Sequence, residues 1–134
     1  MDSTTKSLIA AYLEKSEQKL AVARRLLEAS DFDDAVSRAY YAAFHAVRAL
    51  LVTEGQNPTT HHGTVTLFNL LFIKAGKFER ELGRFFMNLK DDRETADYEL
   101  FADIDRSMAE TAIMEAGRLL AEATAYLRRE SFID

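Results

Sequence analysis

Proline and glycine are the residues that most often interrupt a helix or strand. This chain has one proline, Pro58, and five glycines in 134 residues. Long uninterrupted elements must therefore fill most of it. Stretches rich in β-branched residues with two-residue alternation are missing, so no sheet is expected. Apolar residues recur instead at three- and four-residue spacing, which places them on one side of a helix.

The punctuation divides the chain into five helices. The first is expected from Thr5 to Ala29, capped by Ser3 or Thr4, with Leu13, Leu20, Ala23 and Leu27 along one stripe. "EASDFDD" breaks it, and Asp31 is placed to cap the second, with Asp33 and Asp34 favouring the positive end of its dipole. That helix should end near Glu54, where Gly55 can take the left-handed terminating conformation. After "GQNPTT", Thr60 caps a third helix, His61 to Lys74; Gly76 breaks the pattern before a fourth, Lys77 to Leu89. "KDDRETADYELFAD" reads as a polar loop with a helical turn. The last helix, Ile104 to Glu130, turns Met108, Thr111, Ala116, Leu119, Leu120, Ala123 and Leu127 inward. Phe85, Phe86 and Met87 are assigned to the core rather than to a base-stacking platform. The expected fold is all-α, an antiparallel helical bundle of four long helices plus one or two shorter ones, in a single domain over residues 1–134.

Composition narrows the function. Hydrophobic residues make up 48%, enough for one core at this length. There is no cysteine, hence no disulfide framework and no thiolate metal site. No apolar run approaches the roughly 18 residues that span a bilayer. The start, "MDSTTKSLIAAYLEKSEQ", turns polar without a signal-peptide core. A soluble cytoplasmic protein without membrane contact is expected. The net charge of −5 argues against general nucleic-acid binding, so any contact with RNA needs a local basic site, one that two subunits could build.

The second helix, "DDAVSRAYYAAFHAVRALL", has two faces. With Arg38 at zero, successive rotations of about 100° put Tyr41, Ala42, His45 and Ala49 within about 60° of it. Val36, Tyr40, Ala43, Val47, Leu50 and Leu51 form the larger apolar stripe on the other side, which should face the core. Ala42, Ala46 and Ala49 around Arg38 and His45 would let another helix approach closely, most simply a second copy across a two-fold axis. Arg38 and His45 lie about 10.5 Å apart along the axis. That spacing suits either structural contacts with Glu94 or Asp97, or a grip on one phosphodiester with converging side chains or a partner chain's help.

"SRAYYAAFHAVRALL", with Arg38, Tyr40, Tyr41, Phe44 and His45 in order, resembles the HEPN domain (higher eukaryotes and prokaryotes nucleotide-binding). The likeness is to small prokaryotic members encoded beside minimal nucleotidyltransferases. "HHGTVTLFNLLFIKAGKF" and "RETADYEL" extend it. The resemblance implies a bundle that forms a homodimer through the motif helix. It implies a metal-independent endoribonuclease, often a toxin neutralised by a nucleotidyltransferase antitoxin. Arg38 would hold the scissile phosphate and stabilise its growing charge. His45 would be general base or acid for attack by the RNA 2′-hydroxyl, leaving a cyclic phosphate. No metal or cofactor is required. Ala39 stands where active members often carry a polar residue, and Val47 where many toxins carry a tyrosine that the partner adenylates.

The resemblance also places His62 where it can extend the cleft, against a capping or solvent-facing role, and lets Tyr41 supply hydrogen bonding. Arg93, Asp97 and Tyr98 either pack beside the second helix and orient Arg38 or form a salt-bridged loop that anchors the last helix. The three histidines lack a recognised metal-ligand spacing, and no phosphate-cradling glycine loop or nucleophile elbow is present. Three readings remain: the ribonuclease; a silent HEPN module that binds nucleotide or docks a nucleotidyltransferase; and a plain helical scaffold.

Overall fold

The computed structural model describes residues 2–134. It holds α1 (Ser3–Glu28), α2 (Phe32–Val52), α3 (His61–Phe68), α4 (Arg80–Tyr98) and α5 (Arg106–Arg129). A π-helical turn, Asn69–Ile73, continues α3. There is no strand among the described residues. Four long helices and a short one match the sequence pattern, but α3 gives way to the π-helical turn after Phe68, and α4 begins at Arg80 rather than Lys77 and runs past Leu89. "KDDRETADY" is the second half of α4, not a loop. Leu89 and Arg93, four residues apart, turn one side of this polar stretch into the core.

Local chemistry sets the ends. Asp2, ahead of the expected Ser3 or Thr4, caps α1: its carboxylate accepts from the Thr5 N–H at 2.7 Å. Thr60 caps α3 as expected, accepting from the Gly63 N–H at 2.9 Å. Asp31 stands at the start of α2 but makes no capping bond with its side chain. Gly55 and Gly76 have φ of +69° and +80°, the left-handed backbone their positions require.

The bundle packs around α2, which touches α1, α3, α4 and α5. Val36, Tyr40, Ala43, Val47, Leu50 and Leu51 are all buried, as the larger stripe demands. Phe86 and Leu89 of α4 and Leu119 and Leu127 of α5 fill the same core. Two residues assigned inward are not. Thr111 faces solvent while its neighbour Ala112 is buried, and Met87 is exposed beside the buried Phe86.

The alanine face requires a larger correction. Ala42, Ala46 and Ala49 are buried within the single chain, not offered to a second copy. α1 lies along this side of α2. The buried Ser16 hydroxyl donates to the Ala42 carbonyl at 2.6 Å, and Tyr12 stacks on His45. Small side chains thus serve the α1–α2 contact. Among the described residues no helix is long and apolar enough to cross a membrane.

Candidate functional site

Arg38 and His45 line the same cleft, of about 450 Å³. Its walls come from two helices and a loop. α2 supplies Arg38, Tyr41, Phe44, His45 and Arg48; α1 supplies Lys15 and Lys19; Thr59 and His61 close one end. Lys15 and Lys19 are one turn apart and so share the face of α1 that looks toward α2. No carboxylate lines the cleft. A chain of net charge −5 therefore concentrates four permanent cations and two imidazoles around one opening.

His45 is half-buried, its ring stacked at 6.3 Å on Tyr12 and edge-on at 5.6 Å to Phe44. Its Nδ1 is buried without a hydrogen-bond partner. Burial first, then the charges of Lys15, Lys19 and Arg48, push its pKa down to about 4. The imidazole is therefore neutral at pH 7 and able to accept a proton. Arg38 is exposed and makes no ion pair among the described residues. The alternative in which it pairs with Glu94 or Asp97 does not hold: those carboxylates pair with Lys90 and Arg93. Arg48 is pinned, its guanidinium 5.1 Å from the Tyr12 ring and 5.5 Å from that of Phe44, and bonded to Asn57.

His61, not His62, reaches the cleft. His62, the next residue in the first turn of α3, is exposed and does not line the cleft. The Tyr40 hydroxyl lies 2.7 Å from His61 Nδ1, and Tyr40 has no exposed surface. Burial raises the Tyr40 pKa, so its hydroxyl stays protonated. That buried O–H has its acceptor in the Nδ1 of neutral His61, which leaves the proton on Nε2. Burial, then Arg93 and Lys90, lower the His61 pKa.

Arg93, Asp97 and Tyr98 lie on α4, and Arg93 and Tyr98 line a second cavity of about 650 Å³. Tyr41 and His61 are shared between the two cavities. The Arg93 guanidinium sits 5.1 Å from the Tyr40 ring and 5.8 Å from each of Tyr41 and Tyr98, and pairs with Asp97 at 3.5 Å. Arg93 therefore holds the Tyr40–Tyr41 side of α2 in place rather than orienting Arg38. A larger groove of about 900 Å³ near the π-helical turn contains none of these residues.

Lys15, Lys19, Arg48 and His61 also line the cleft, and sequence reasoning did not single them out as such. Arg48 follows the motif by one turn of helix. The lysines enter only because α1 packs on the alanine face.

The profile of the HEPN domain matches residues 9–126. Two proteins of Methanocaldococcus jannaschii, each named "Putative toxin", are similar in sequence. One is 39% identical over 81% of this chain and 80% of its own length, the other 34% identical over 86% and 78%. A crystal structure of a protein from Thermus thermophilus shares the fold, with a TM-score of 0.76 over 87% of this chain and 96% of that one, at 21% identity.

Proposed function

Because the chain belongs to the HEPN domain family, we propose that it is a metal-independent endoribonuclease, the toxin of a pair whose other member is a minimal nucleotidyltransferase. One observation carries this reading: Arg38 and His45 open onto a single cleft with Lys15, Lys19 and Arg48 and no carboxylate. Such a cleft attracts a phosphodiester against the negative field of the rest of the chain. Arg38, exposed and uncommitted to an ion pair, binds a non-bridging phosphate oxygen and stabilises the charge that grows there. Neutral His45 takes the proton of the adjacent 2′-hydroxyl. The 2′-oxygen attacks phosphorus, the bond to the 5′-oxygen breaks, and that oxygen takes up a proton. A 2′,3′-cyclic phosphate is left.

The toxin role rests on the names of the two archaeal relatives. Dimerisation is part of the proposal in narrowed form. With the alanines covered by α1, a second copy meets α2 at its exposed edge, around Asp34 and Arg38. The silent-module reading has its own support: Ala39 and Val47, where the family's extra polar residue and adenylated tyrosine would stand, have no exposed surface.

Purified protein incubated with RNA in chelator, beside Arg38→Ala and His45→Ala, tests the proposal. Cleavage that persists in chelator and is lost in both variants supports it. An inert wild type that still binds a nucleotidyltransferase supports the silent module.

A further inference from the structure

We propose that the cavity between Tyr41, Arg93 and Tyr98 is a nucleobase subsite that selects guanine. The proposal rests on the reading that the neighbouring cleft holds an RNA phosphate. The two cavities share Tyr41 and His61, so a ligand that enters one reaches the wall of the other. Their charge is opposite in kind. The first has cations and no carboxylate; the second is lined by Asp91, Glu94 and Glu99 with Arg93 the only cation. A phosphate favours the first and is repelled by the second. A base with hydrogen-bond donors suits the second.

The stacking surface is already built. Tyr98 is 76% exposed although it lies against a formed cavity. Arg93 is only 6% exposed, and its Nε is buried with no hydrogen-bond partner. The guanidinium, held by the rings of Tyr40 and Tyr41, lies 5.8 Å from the Tyr98 ring, which keeps its surface open to solvent. An exposed aromatic in a cavity that adjoins a cationic cleft is an arrangement on which an unpaired base can stack.

The carboxylates select which base. An ionised carboxylate only accepts hydrogen bonds. Guanine offers one carboxylate two adjacent donors, N1–H and the 2-amino group. Uracil offers one N–H between two carbonyls, which a carboxylate repels. Adenine and cytosine offer an amine beside a ring-nitrogen acceptor. Glu94 is held by Lys90 at 2.6 Å, whereas Asp91 and Glu99 make no ion pair among the described residues. Glu99, next to Tyr98 in the chain, is assigned as the reading group.

Isothermal titration calorimetry with 3′-GMP, 3′-UMP and inorganic phosphate separates the parts. Wild type should bind 3′-GMP about tenfold more tightly than 3′-UMP, the scale of one base–aromatic stack plus its edge contacts. Tyr98→Ala should bring 3′-GMP down to the 3′-UMP level and leave inorganic phosphate unchanged, and Tyr98→Phe should retain the preference. Glu99→Ala should lose the discrimination between the two nucleotides. Arg38→Ala should weaken all three ligands. Phosphate binding with equal affinity for the nucleotides overturns the subsite and spares the phosphate cleft. A Tyr98-dependent preference for 3′-GMP without any phosphate affinity upholds the subsite and removes the phosphate cleft. No binding of any ligand, or a preference that Tyr98→Ala leaves intact, overturns the subsite.

Discussion

Replacing Lys15 and Lys19 with glutamine should raise the pKa of His45, and the size of the rise follows from the causes of its depression. Burial is the largest cause, and the two lysines come next, ahead of Arg48. Both are on the outer part of α1, Lys15 exposed and Lys19 half-buried, so the substitutions leave the core intact. A unit charge a few ångströms away in largely aqueous surroundings contributes on the order of 1 kcal/mol, under one pKa unit. The double variant should therefore titrate above the wild-type value of about 4 and still below the ordinary value of about 6.5, because burial, the larger cause, persists. NMR of the ring protons reads this directly, since the chain has three histidines and His45→Ala identifies the signal. A wild-type His45 titrating near 6.5, or one that ignores the lysines, would refute the cleft described above.

The same depression fixes a pH dependence of stability. The folded pKa of about 4 lies below the unfolded value of about 6.5, so the unfolded chain binds the proton first as pH falls. The contribution is constant above pH 6.5 and is lost between about 6.5 and 4. The full difference corresponds to ~3 kcal/mol, and solvent screening at this half-buried ring reduces it to about 1–2 kcal/mol. Urea unfolding of wild type and His45→Ala across that window should show the wild type losing this amount more. Parallel curves would contradict it.

Three further outcomes follow. Ala46→Leu should overfill the α1–α2 contact and cost about 1–3 kcal/mol in urea unfolding without changing the mass in solution; a changed mass at unchanged stability would return the alanine face to a second copy. Tyr40→Phe should cost about 1 kcal/mol and raise the His61 pKa, because the bond to neutral Nδ1 disappears; an unmoved His61 titration would contradict the assigned tautomer. RNA affinity should fall with salt, and Lys19→Gln should reduce the logarithmic slope by about 0.7; an unchanged slope would place the RNA elsewhere.

The helices were legible because sparse punctuation and clear periodicity agree. Gly55, Thr60 and Gly76 mark ends whose chemistry is local. The second half of α4 was not legible: its inward position at Arg93 is charged, and a charged residue breaks the apolar pattern even when aromatic rings cover it. The Arg38–His45 pair could be read because both lie on one helix. The lysines opposite could not, because helix pairing is a tertiary fact. The exchange of His61 for His62 is one step of about 100° around a helix whose start was read correctly; which side of that first turn meets α2 is a tertiary fact. The covered alanines show the limit of a face-based argument: small residues predict that a helix will approach, not which one.

In the proposed function this cleft moves a proton from an RNA 2′-hydroxyl through His45. Two oligonucleotides of one sequence, unmodified RNA and its fully 2′-O-methylated counterpart, incubated with the protein in chelator and examined by mass spectrometry, address it directly. Cutting of the unmodified strand alone is expected, with 2′,3′-cyclic phosphate ends, and none by His45→Ala. Cutting of the methylated strand, or cutting that survives His45→Ala, would contradict it.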